Sequence, residues 1–404
     1  MTKLEELIKE LCPNGVEYKT VGNVSHVERG TRITKKDLID DGQYVVISGG
    51  TSPMGRYNKY NRNPNTITVS SYGQAGYVDL VTTYFWANDV CLCIFPQNMI
   101  INKYLYYCLK NKQEYLYSKT TKAIPDHLPT DVLIELSIPV PPIPVQEEIV
   151  RILDSFTKLT AELTAELTAR KKQYEYYRDD LLKCNTTIPM VKLKDIATDI
   201  YRGAGIKREE VTESGIPCVR YGEIYTTYNT WFDTCKSHTD LKYVPNPKYF
   251  EHGDILFAIT GESVDDIAKS VAYVGHEKCL AGGDIVVMKH KQNPRYLAHV
   301  LATQAAREQK SKGKVKSKVV HSNVPSIEQI EIPLPSLDVQ ERYANVLDNF
   351  ESLCNDLKIG LPAEIEARRK QYEYYRDLLL SFASDGSQSV NVERERERER
   401  VCRN

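Results

Sequence analysis

Two stretches of the sequence are nearly identical: residues 170–182 read RKKQYEYYRDDLL and residues 368–380 read RRKQYEYYRDLLL, 198 residues later. A proline-rich run upstream of each stretch also recurs, as IPVPPIPVQE at 138–147 and IPLPSLDVQE at 332–341. Repetition over this distance indicates a duplicated architecture. We expect each copy to consist of a domain-sized segment followed by a long helical segment.

The helical part of the first copy covers residues 145–183, which contain neither Pro nor Gly. Its apolar residues recur mostly at steps of three and four, the pattern of one helical stripe. A helix of this length spans about 58 Å, so we expect it to pair with its own copy as an antiparallel coiled coil. In the second copy, the Gly-Leu-Pro sequence predicts a kink near 360–362, because Pro lacks a backbone donor. A helix buried in one domain core is the alternative.

The predicted fold class is α+β, with two β-rich globular domains separated by the two long helices. The parts are a first globular domain at 1–145, a helical spacer at 146–186, a second globular domain at 187–337, a distal helical repeat at 338–382, and a disordered Glu/Arg tail at 383–404. In the first domain, apolar runs bounded by turn residues predict strands at 44–47, 66–69 and 90–95 and a helix at 101–109. The tail alternates Glu and Arg without an apolar stripe.

The two globular domains resemble each other only weakly. Arg29-Gly30 corresponds to Arg202-Gly203, and residues 88–90 align with 283–285, so the second domain is longer in its middle. The helical segments are nearly alike. This contrast suggests that the helices share one task, whereas the globular domains perform different versions of another.

Composition limits the functional classes. The chain has 404 residues and a net charge of −1, so any surface that binds nucleic acid must be locally basic. The ten cysteines show no CxxC spacing, which disfavours zinc-ribbon and thioredoxin-like folds. The N-terminal residues read as a charged amphipathic helix instead of a signal peptide, and no apolar run has membrane-spanning length. We therefore expect a cytoplasmic protein with reduced thiols and no membrane contact.

A lysine-rich run is the most informative basic feature. Residues 310–318 read KSKGKVKSK, with a lysine at every second position. In an extended chain all five lysines would lie along one face, where they would match the regular charges of a phosphate backbone. A solvated loop without a partner is the alternative.

The residues predicted to contact DNA are cations and small polar loop residues, since cations bind phosphates and polar side chains read base edges. In the first domain they are Arg29, Arg32, Lys35, Lys36, Ser48, Thr51, Arg56, Arg62, Ser71, Tyr72 and Gln74. In the second domain they are Arg202, Arg208, Arg220, Tyr221, Thr260, Glu262, Lys312, Lys314, Lys316, Lys318, His321 and Asn323. For each loop taken alone, an ordinary turn is the alternative.

The sequence shows no credible catalytic constellation. Residues 50–56 (GTSPMGR) have the spacing of a phosphate-binding loop, but Arg56 stands in place of the lysine. The histidines lack metal-site spacing. We therefore expect a binding or scaffolding subunit that itself holds no cofactor or metal.

Two unlike globular domains, each followed by the IPxP…QE run and the QYEYYRD helix, resemble the specificity subunit of a type I DNA restriction–modification system over residues 1–382. Tandem TAEL units at 160–163 and 164–167 resemble the branch called type IC. The resemblance implies that each globular domain is a target recognition domain that reads one half of a bipartite, asymmetric site on double-stranded DNA. It also implies that the helices set the spacing and bind two modification subunits.

The resemblance further implies that the chemistry belongs to partners. S-adenosylmethionine would be bound by the modification subunits, and ATP and Mg²⁺ by partner subunits that include the restriction subunits. The residues implied to bind subunits are Gln146, Lys172, Tyr174, Tyr177, Arg178, Gln340, Lys370, Tyr372, Tyr375 and Arg376. A coiled-coil adaptor without DNA specificity and a stand-alone DNA methyltransferase are the two alternatives.

Overall fold

Residues 2–121, 126–183, 188–313, 319–355 and 360–382 are described by a computed structural model. The chain divides into two compact units. Unit 1 comprises Met1–Glu162 and Glu366–Asn404, and unit 2 comprises Leu163–Ile365. Each unit therefore combines one β-rich segment with parts of the repeated helices. The five-part division along the sequence remains a prediction, and its tail at 383–404 lies outside the described residues.

The strands of the first half are short. They are β1 (Tyr18–Thr20), β2 (Ser25–Arg29), β3 (Tyr44–Ile47), β4 (Gly55–Tyr57), β5 (Thr66–Ser70), β6 (Val78–Val81), β7 (Phe85–Ala87), β8 (Cys91–Pro96) and β9 (Ser137–Pro139). The helices are α1 (Lys3–Leu11), α2 (Val21–Val24), α3 (Asn102–Asn111), α4 (Gln113–Ser118), α5 (Thr130–Ile134) and α6 (Ile143–Leu181). The strands form a β2-β8-β5-β6 sheet, a β4-β3-β7 sheet and a β1-β9 pair.

Unit 1 has two clusters of buried apolar residues, and the larger one joins the β2-β8-β5-β6 sheet to the helices. Every residue of β5 is buried, and α3 contributes the buried Tyr104 and Leu105. The first turns of α6 add Ile149 and Leu153 to the same core. These two α6 residues are four positions apart and so project from one helical face. Each such buried side chain stabilises the fold by about 1.5–3 kcal/mol, which fixes the start of α6 on the β-rich segment.

The second half contains more strands. They are β10 (Met190–Lys192), β11 (Ala197–Arg202), β12 (Val211–Thr212), β13 (Ile216–Val219), β14 (Trp231–Phe232), β15 (Ser237–Thr239), β16 (Tyr249–Phe250), β17 (Ile255–Ala258), β18 (Thr260–Gly261), β19 (Ser270–Tyr273), β20 (Cys279–Ala281), β21 (Ile285–His290), β22 (Val320–His321) and β23 (Glu331–Pro333). The helices are α7 (Leu193–Ile196), α8 (Tyr221–Thr226), α9 (Pro294–Leu301), α10 (Gln304–Ser311), α11 (Val324–Glu328), α12 (Leu337–Asn355) and α13 (Leu361–Leu379).

The sheets of unit 2 repeat those of unit 1 with additions. The order β11-β21-β17-β19 matches β2-β8-β5-β6, and β13 pairs in parallel with β20 as β3 does with β7. In unit 2, β14 extends the first sheet, and the second sheet also contains β12, β15 and β16. The duplication seen in the helical sequence therefore extends to the β-rich segments, which confirms the α+β fold class.

The α6 helix is continuous over 39 residues, close to the predicted span. In the second copy, α12 ends at Asn355 and α13 begins at Leu361, with Pro362 in the first turn, where proline is tolerated. In unit 1, Phe156 of α6 stacks on Tyr375 of α13, with ring centroids 5.4 Å apart. In unit 2, Tyr177 of α6 lies 6.2 Å from Phe350 of α12. Within each unit, α6 thus contacts a helix of the second copy. No helix in the described ranges is apolar enough over a sufficient length to cross a membrane.

Candidate nucleic-acid interface and repeated helix motif

The turn that follows Arg29 in unit 1 has the same backbone contacts as the turn that follows Arg202 in unit 2. The Gly30 amide donates to the Cys91 carbonyl at 3.0 Å, and the Gly203 amide donates to the Ile285 carbonyl at 2.8 Å. A β-carbon would lie 2.2 Å from a carbonyl oxygen at either glycine, so only glycine allows this approach. Cys91 and Ile285 are 194 positions apart, which corrects the alignment of 88–90 with 283–285 by one residue.

In unit 1, candidate loops meet around the buried side chain of Asn88. Its Oδ1 accepts from the Ile33 amide at 3.0 Å, and its Nδ2 donates to the Ile33 carbonyl at 3.2 Å and to the Ser48 hydroxyl at 3.5 Å. The backbone amide of Gln74 donates to the Gly49 carbonyl at 2.7 Å. The segments that follow Arg29, Ser48 and Ser71 are thereby held together. No sequence pattern singled out Asn88 as a site residue, although it is a polar residue directly after an apolar run.

The candidate residues of unit 1 fall into two groups. The exposed group consists of Arg29, Arg32, Lys35, Lys36, Thr51, Arg56 and Gln74. Arg62 donates to the Arg29 carbonyl at 2.9 Å and pairs with Glu28 at 3.2 Å, with a side chain only 14% exposed. Buried Ser71 donates from its hydroxyl to the Val90 carbonyl, and Ser48 and Tyr72 are half-buried. Arg62 and Ser71 therefore position the loops.

In unit 2, Asp284 connects the equivalent loops. Its Oδ1 accepts from the Arg202 guanidinium at 2.6 Å, and its carbonyl accepts from the Ile259 amide at 3.0 Å. The Thr260 hydroxyl lies 3.2 Å from Nδ1 of His321. Arg202, Thr260 and His321 are thus brought into one region.

The remaining candidates of unit 2 are placed differently. Arg208, Tyr221, Glu262 and Lys312 are exposed, whereas Arg220 is half-buried. Asn323 is exposed, but its Oδ1 accepts from the Ser326 amide at 2.9 Å and caps α11. Lys314, Lys316 and Lys318 lie outside the described residues.

The prediction of five lysines along one extended face is wrong at its first member. Lys310 belongs to α10, which continues to Ser311. The Lys310 ammonium is buried and donates to the Ser270 hydroxyl at 3.0 Å and to the Leu301 carbonyl at 2.8 Å. The helical conformation turns this lysine inward, so an alternating surface row can begin only after it.

The proline-rich run that precedes each repeated helix contributes a buried glutamine. Gln146 accepts from the Ile101 amide at 2.8 Å, and Gln340 accepts from the Asn293 amide at 3.0 Å. Each also donates to a carbonyl five residues earlier, that of Pro141 or Pro335. Both side chains have zero exposure. Their amides are engaged within their own units, so they fix the start of each helix against the preceding segment.

An aspartate eight residues after the glutamine in each helix forms a second repeated contact. Asp154 accepts from the Tyr107 hydroxyl and the Lys103 ammonium, both at 2.7 Å. Asp348 lies 194 positions later and accepts from Nε2 of His299 and from the Arg295 guanidinium, both at 2.7 Å. No sequence pattern predicted a role for either aspartate. The Tyr-Leu pairs that follow Lys103 and Arg295 are a repeated feature that would have pointed to their partners.

Asp348 has an additional donor, the indole of Trp231 at 2.9 Å. Burial alone would raise the pKa of Asp348, but hydrogen bonds from His299, Trp231 and Arg295 outweigh burial and hold this pKa below its ordinary value. His299, Asp348 and Glu351 could offer ligand atoms to a metal within 4.8 Å of one another. Both ring nitrogens of His299 already have protein partners, Tyr174 and Asp348, so a hydrogen-bond network accounts for this group.

The QYEYYRD motif packs one face on the β-rich segment of its unit. In unit 2, the hydroxyl of buried Tyr174 lies 3.0 Å from Nδ1 of His299. Buried Arg178 donates to Asp179 at 2.8 Å. In unit 1, the half-buried Tyr372 packs against the core and Arg376 donates to Oδ1 of Asn111 at 3.0 Å. Of the motif residues predicted to bind subunits, Lys172, Tyr177 and Lys370 are exposed, and Tyr375 is half-buried.

Both halves of the chain match the sequence model of a known protein family. The family model described as Type I restriction modification DNA specificity domain matches residues 13–170 and 185–367. The type I restriction enzyme EcoR124I/EcoR124II specificity subunit of Escherichia coli is 29% identical over 416 residues, covering 95% of this chain and 98% of that protein.

Solved structures show a similar fold. The S subunit of a type I restriction–modification system from M. genitalium has a TM-score of 0.51 and 18% identity, covering 90% of this chain and 95% of that one. A chain from a study of complex assembly and conformational transition of the type I R-M system has a TM-score of 0.59 and 14% identity, covering 91% and 98%. At these identities the likeness concerns the fold alone.

Proposed function

Because this chain belongs to the family of type I restriction modification DNA specificity domains, we propose that its two β-rich segments each read one half of a bipartite, asymmetric site on double-stranded DNA. The observation that carries this proposal is the repeated frame with unlike loops. Gly30 and Gly203 make equivalent backbone contacts, whereas the loops beside them carry different side chains. A common frame with different loops suits two readers of different sequences.

The chemistry of the loops supports separate positioning and reading roles. Arg29, Arg32 and Lys35 of unit 1 are exposed cations suited to phosphates. Gln74 is an exposed amide, and amides can bond two adjacent groups of adenine in the major groove. In unit 2, Arg202 and Thr260 offer a different set of groups, so the second half-site should differ from the first.

The test is Gln74→Ala in the complex with modification subunits, followed by mapping of methylated adenines. We expect relaxed specificity at one position of one half-site, with a loss of about 1–3 kcal/mol of discrimination. Lys9→Ala on α1 is the exposed control and should change neither half. Altered specificity in both halves would contradict reading by separate units.

We propose that the exposed face of the repeated motif binds two modification subunits, through Lys172, Tyr177, Lys370 and Tyr375. The buried Gln146, Tyr174, Arg178 and Gln340, with Tyr372 and Arg376, hold that face in place. Tyr177 is 46% exposed although aromatic, which suits a protein contact. Tyr177→Ala should weaken subunit association in sedimentation, while the loss of the ring contact with Phe350 should lower the melting temperature only slightly. Unchanged association would refute this assignment.

The TAEL units at 160–167 lie within α6 and are mostly exposed. We assign the chain to the type IC-like branch and propose that these units act as a spacer. Four helical residues add about 6 Å and a net rotation of about 40°. The rotation is close to the roughly 34–36° twist of one base pair, whereas the translation exceeds its rise of about 3.4 Å and needs some adjustment. Deleting residues 164–167 should shorten the unread gap by one base pair in a methylation map. An unchanged gap would refute the spacer.

On this proposal the chain contributes no catalytic group and acts in the cytoplasm. Methylation with S-adenosylmethionine would occur on the modification subunits, and ATP and Mg²⁺ would serve partners that include the restriction subunits. Binding of S-adenosylmethionine by the isolated chain would instead favour a stand-alone methyltransferase. Salt-independent partner binding without affinity for duplex DNA would favour a coiled-coil adaptor.

A further inference from the structure

Arg220 of unit 2 lies at the position that corresponds to Ser48 of unit 1. The backbone amide of Gly282 donates to the carbonyl of the residue before Arg220 at 2.8 Å. In unit 1, the backbone amide of Asn88 donates to the carbonyl of the residue before Ser48 at 2.9 Å. Each acceptor ends a strand that pairs in parallel with the strand before the donor. Gly282 therefore corresponds to Asn88, 194 positions earlier.

The two units fill the space at this turn with different side chains. In unit 1, the side chain of Asn88 bonds to Ile33 and to Ser48. Gly282 has no side chain, and a β-carbon there would lie 3.3 Å from Cα and 3.8 Å from Cγ of Arg220. The first part of the Arg220 side chain thus packs beside Gly282, where unit 1 has an asparagine.

The guanidinium of Arg220 is oriented by packing and has no bonded partner. Arg220 is half-buried, and Nε is the one nitrogen of its guanidinium that is covered, so the terminal nitrogens reach the surface. Within the described part of the chain, no hydrogen bond or ion pair involves this guanidinium. Glu223 accepts instead from the backbone amide of Arg220 at 2.7 Å and from the Ser237 hydroxyl. The Arg202 guanidinium, in contrast, bonds to Asp284 at 2.6 Å.

Glycines beside Arg220 leave room for a ligand. Gly222 follows it by two residues. Gly205 lies against the turn, with its Cα 3.0 Å from the place of a β-carbon on Gly283. A β-carbon at Gly222 or Gly205 would meet no atom within 4 Å. The next residue of the turn is Asp284, which connects the other candidate reading loops of unit 2. The edge of a base can therefore approach Arg220 closely in the region of these loops.

Guanine is the base whose edge fits an arginine side chain. It presents two acceptors, O6 and N7, side by side in the major groove, whereas adenine presents one acceptor beside a donor. A guanidinium has donors only, so it forms two parallel hydrogen bonds with guanine. We propose that Arg220 reads a guanine in the half-site of unit 2, an inference that rests on the proposed reading of DNA by each unit. Ser48 cannot form such a pair of bonds, so the half-site of unit 1 lacks this contact.

The test uses the complex with modification subunits and has two readouts, a map of methylated adenines in cells and competition between duplexes that differ at single target positions. Arg220→Ala should reduce the preference for guanine at one position of one half by at least about fivefold. Arg220→Gln should move the preference at that position from guanine towards adenine, because an amide pairs with adenine. Arg342→Ala removes an exposed arginine of α12 and is the matched control, which should change no position.

The half that belongs to unit 2 is identified independently by exchange of residues 187–337. If that half contains no G·C pair in the parent target, the proposal is overturned without any variant, so a variant that fails to fold does not block the test. Weaker binding of Arg220→Ala with an unchanged preferred base would assign Arg220 to a phosphate and would also overturn it. A parent complex without a bipartite target would contradict the proposed function itself.

Discussion

The two units hold their repeated helices by the same contacts made with different side chains. Asp154 in unit 1 binds a lysine and a tyrosine, whereas Asp348 in unit 2 binds an arginine, a histidine and a tryptophan. The Asp154 side chain is 37% exposed and the Asp348 side chain 13%. Evidently the position of the acceptor is kept while its donors change. The packing of α12 on the β-rich segment of unit 2 should therefore depend more on buried hydrogen bonds than the packing of α6 does in unit 1.

The largest expected difference comes from removing the two aspartates. Asp348→Ala leaves buried donors without an acceptor and should destabilise unit 2 by about 3–5 kcal/mol. Asp154→Ala removes a more exposed pair and should cost about 1 kcal/mol. Urea titration followed by peptide-resolved hydrogen exchange measures each unit separately. Equal losses would show that the extra donors of Asp348 do not matter.

A second difference concerns acid. His290 ends β21 in unit 2, while Pro96 ends the equivalent β8 in unit 1. Burial lowers the pKa of His290 to about 4. The unfolded chain then binds more protons than the folded one between pH 6.5 and about 4. Unit 2 should lose at most about 3 kcal/mol of stability as pH falls through this range, and retain it above pH 6.5.

The check is hydrogen exchange of β21 and β8 peptides between pH 7 and pH 4, corrected for intrinsic exchange rates. His290→Asn keeps an acceptor for the Gln292 amide and should remove most of this acid sensitivity. His26→Asn changes an exposed histidine of unit 1 and should leave it unaltered. Acid sensitivity retained in His290→Asn would exclude this histidine as its source.

A smaller effect distinguishes the two copies of the motif tyrosine. With the Nε2 proton directed at Asp348, Nδ1 of His299 accepts from the Tyr174 hydroxyl. Tyr174→Phe leaves that nitrogen unsatisfied and should cost about 1–2 kcal/mol. Tyr372 packs through its ring on the core of unit 1, so Tyr372→Phe should cost under about 0.5 kcal/mol. Thermal melts of both variants test this, and a reversed order would contradict the assigned network.

The smallest effects should be the same in both units. Lys35 and Lys312 are exposed cations, one in each unit. If each contacts one phosphate, replacing either by alanine should reduce the salt dependence of DNA binding by about one in log–log slope, without changing the preferred sequence. Titration of the assembled complex with duplex DNA at several salt concentrations measures the slope. An unchanged slope for one variant would remove that lysine from the interface.

The sequence predicted the long-range organisation well, because the two copies of the helical segment are nearly identical in sequence. The helical span of α6 and the strand at Tyr44–Ile47 followed from apolar spacing and from turn residues, and both are confirmed. The alignment of residues 88–90 with residues 283–285 was wrong by one residue, because the two segments share backbone contacts there but not side chains.

Side-chain roles were harder to predict because burial depends on tertiary packing. Lys310 appeared in a run of surface-like lysines, yet α10 turns it inward. Asn88, Asp154 and Asp348 organise loops and helices through contacts with residues distant in sequence, which spacing alone does not reveal. The polar loops could be named, but the residues that hold them together could not.

Exchange of residues 187–337 for the equivalent segment of another family member tests whether each β-rich segment reads its own half of the target. Methylated adenines are mapped in cells that also make the modification subunits. One half of the target should change while the other half and the gap stay the same. A target that changes in both halves, or a single uninterrupted target, would exclude separate reading by the two segments.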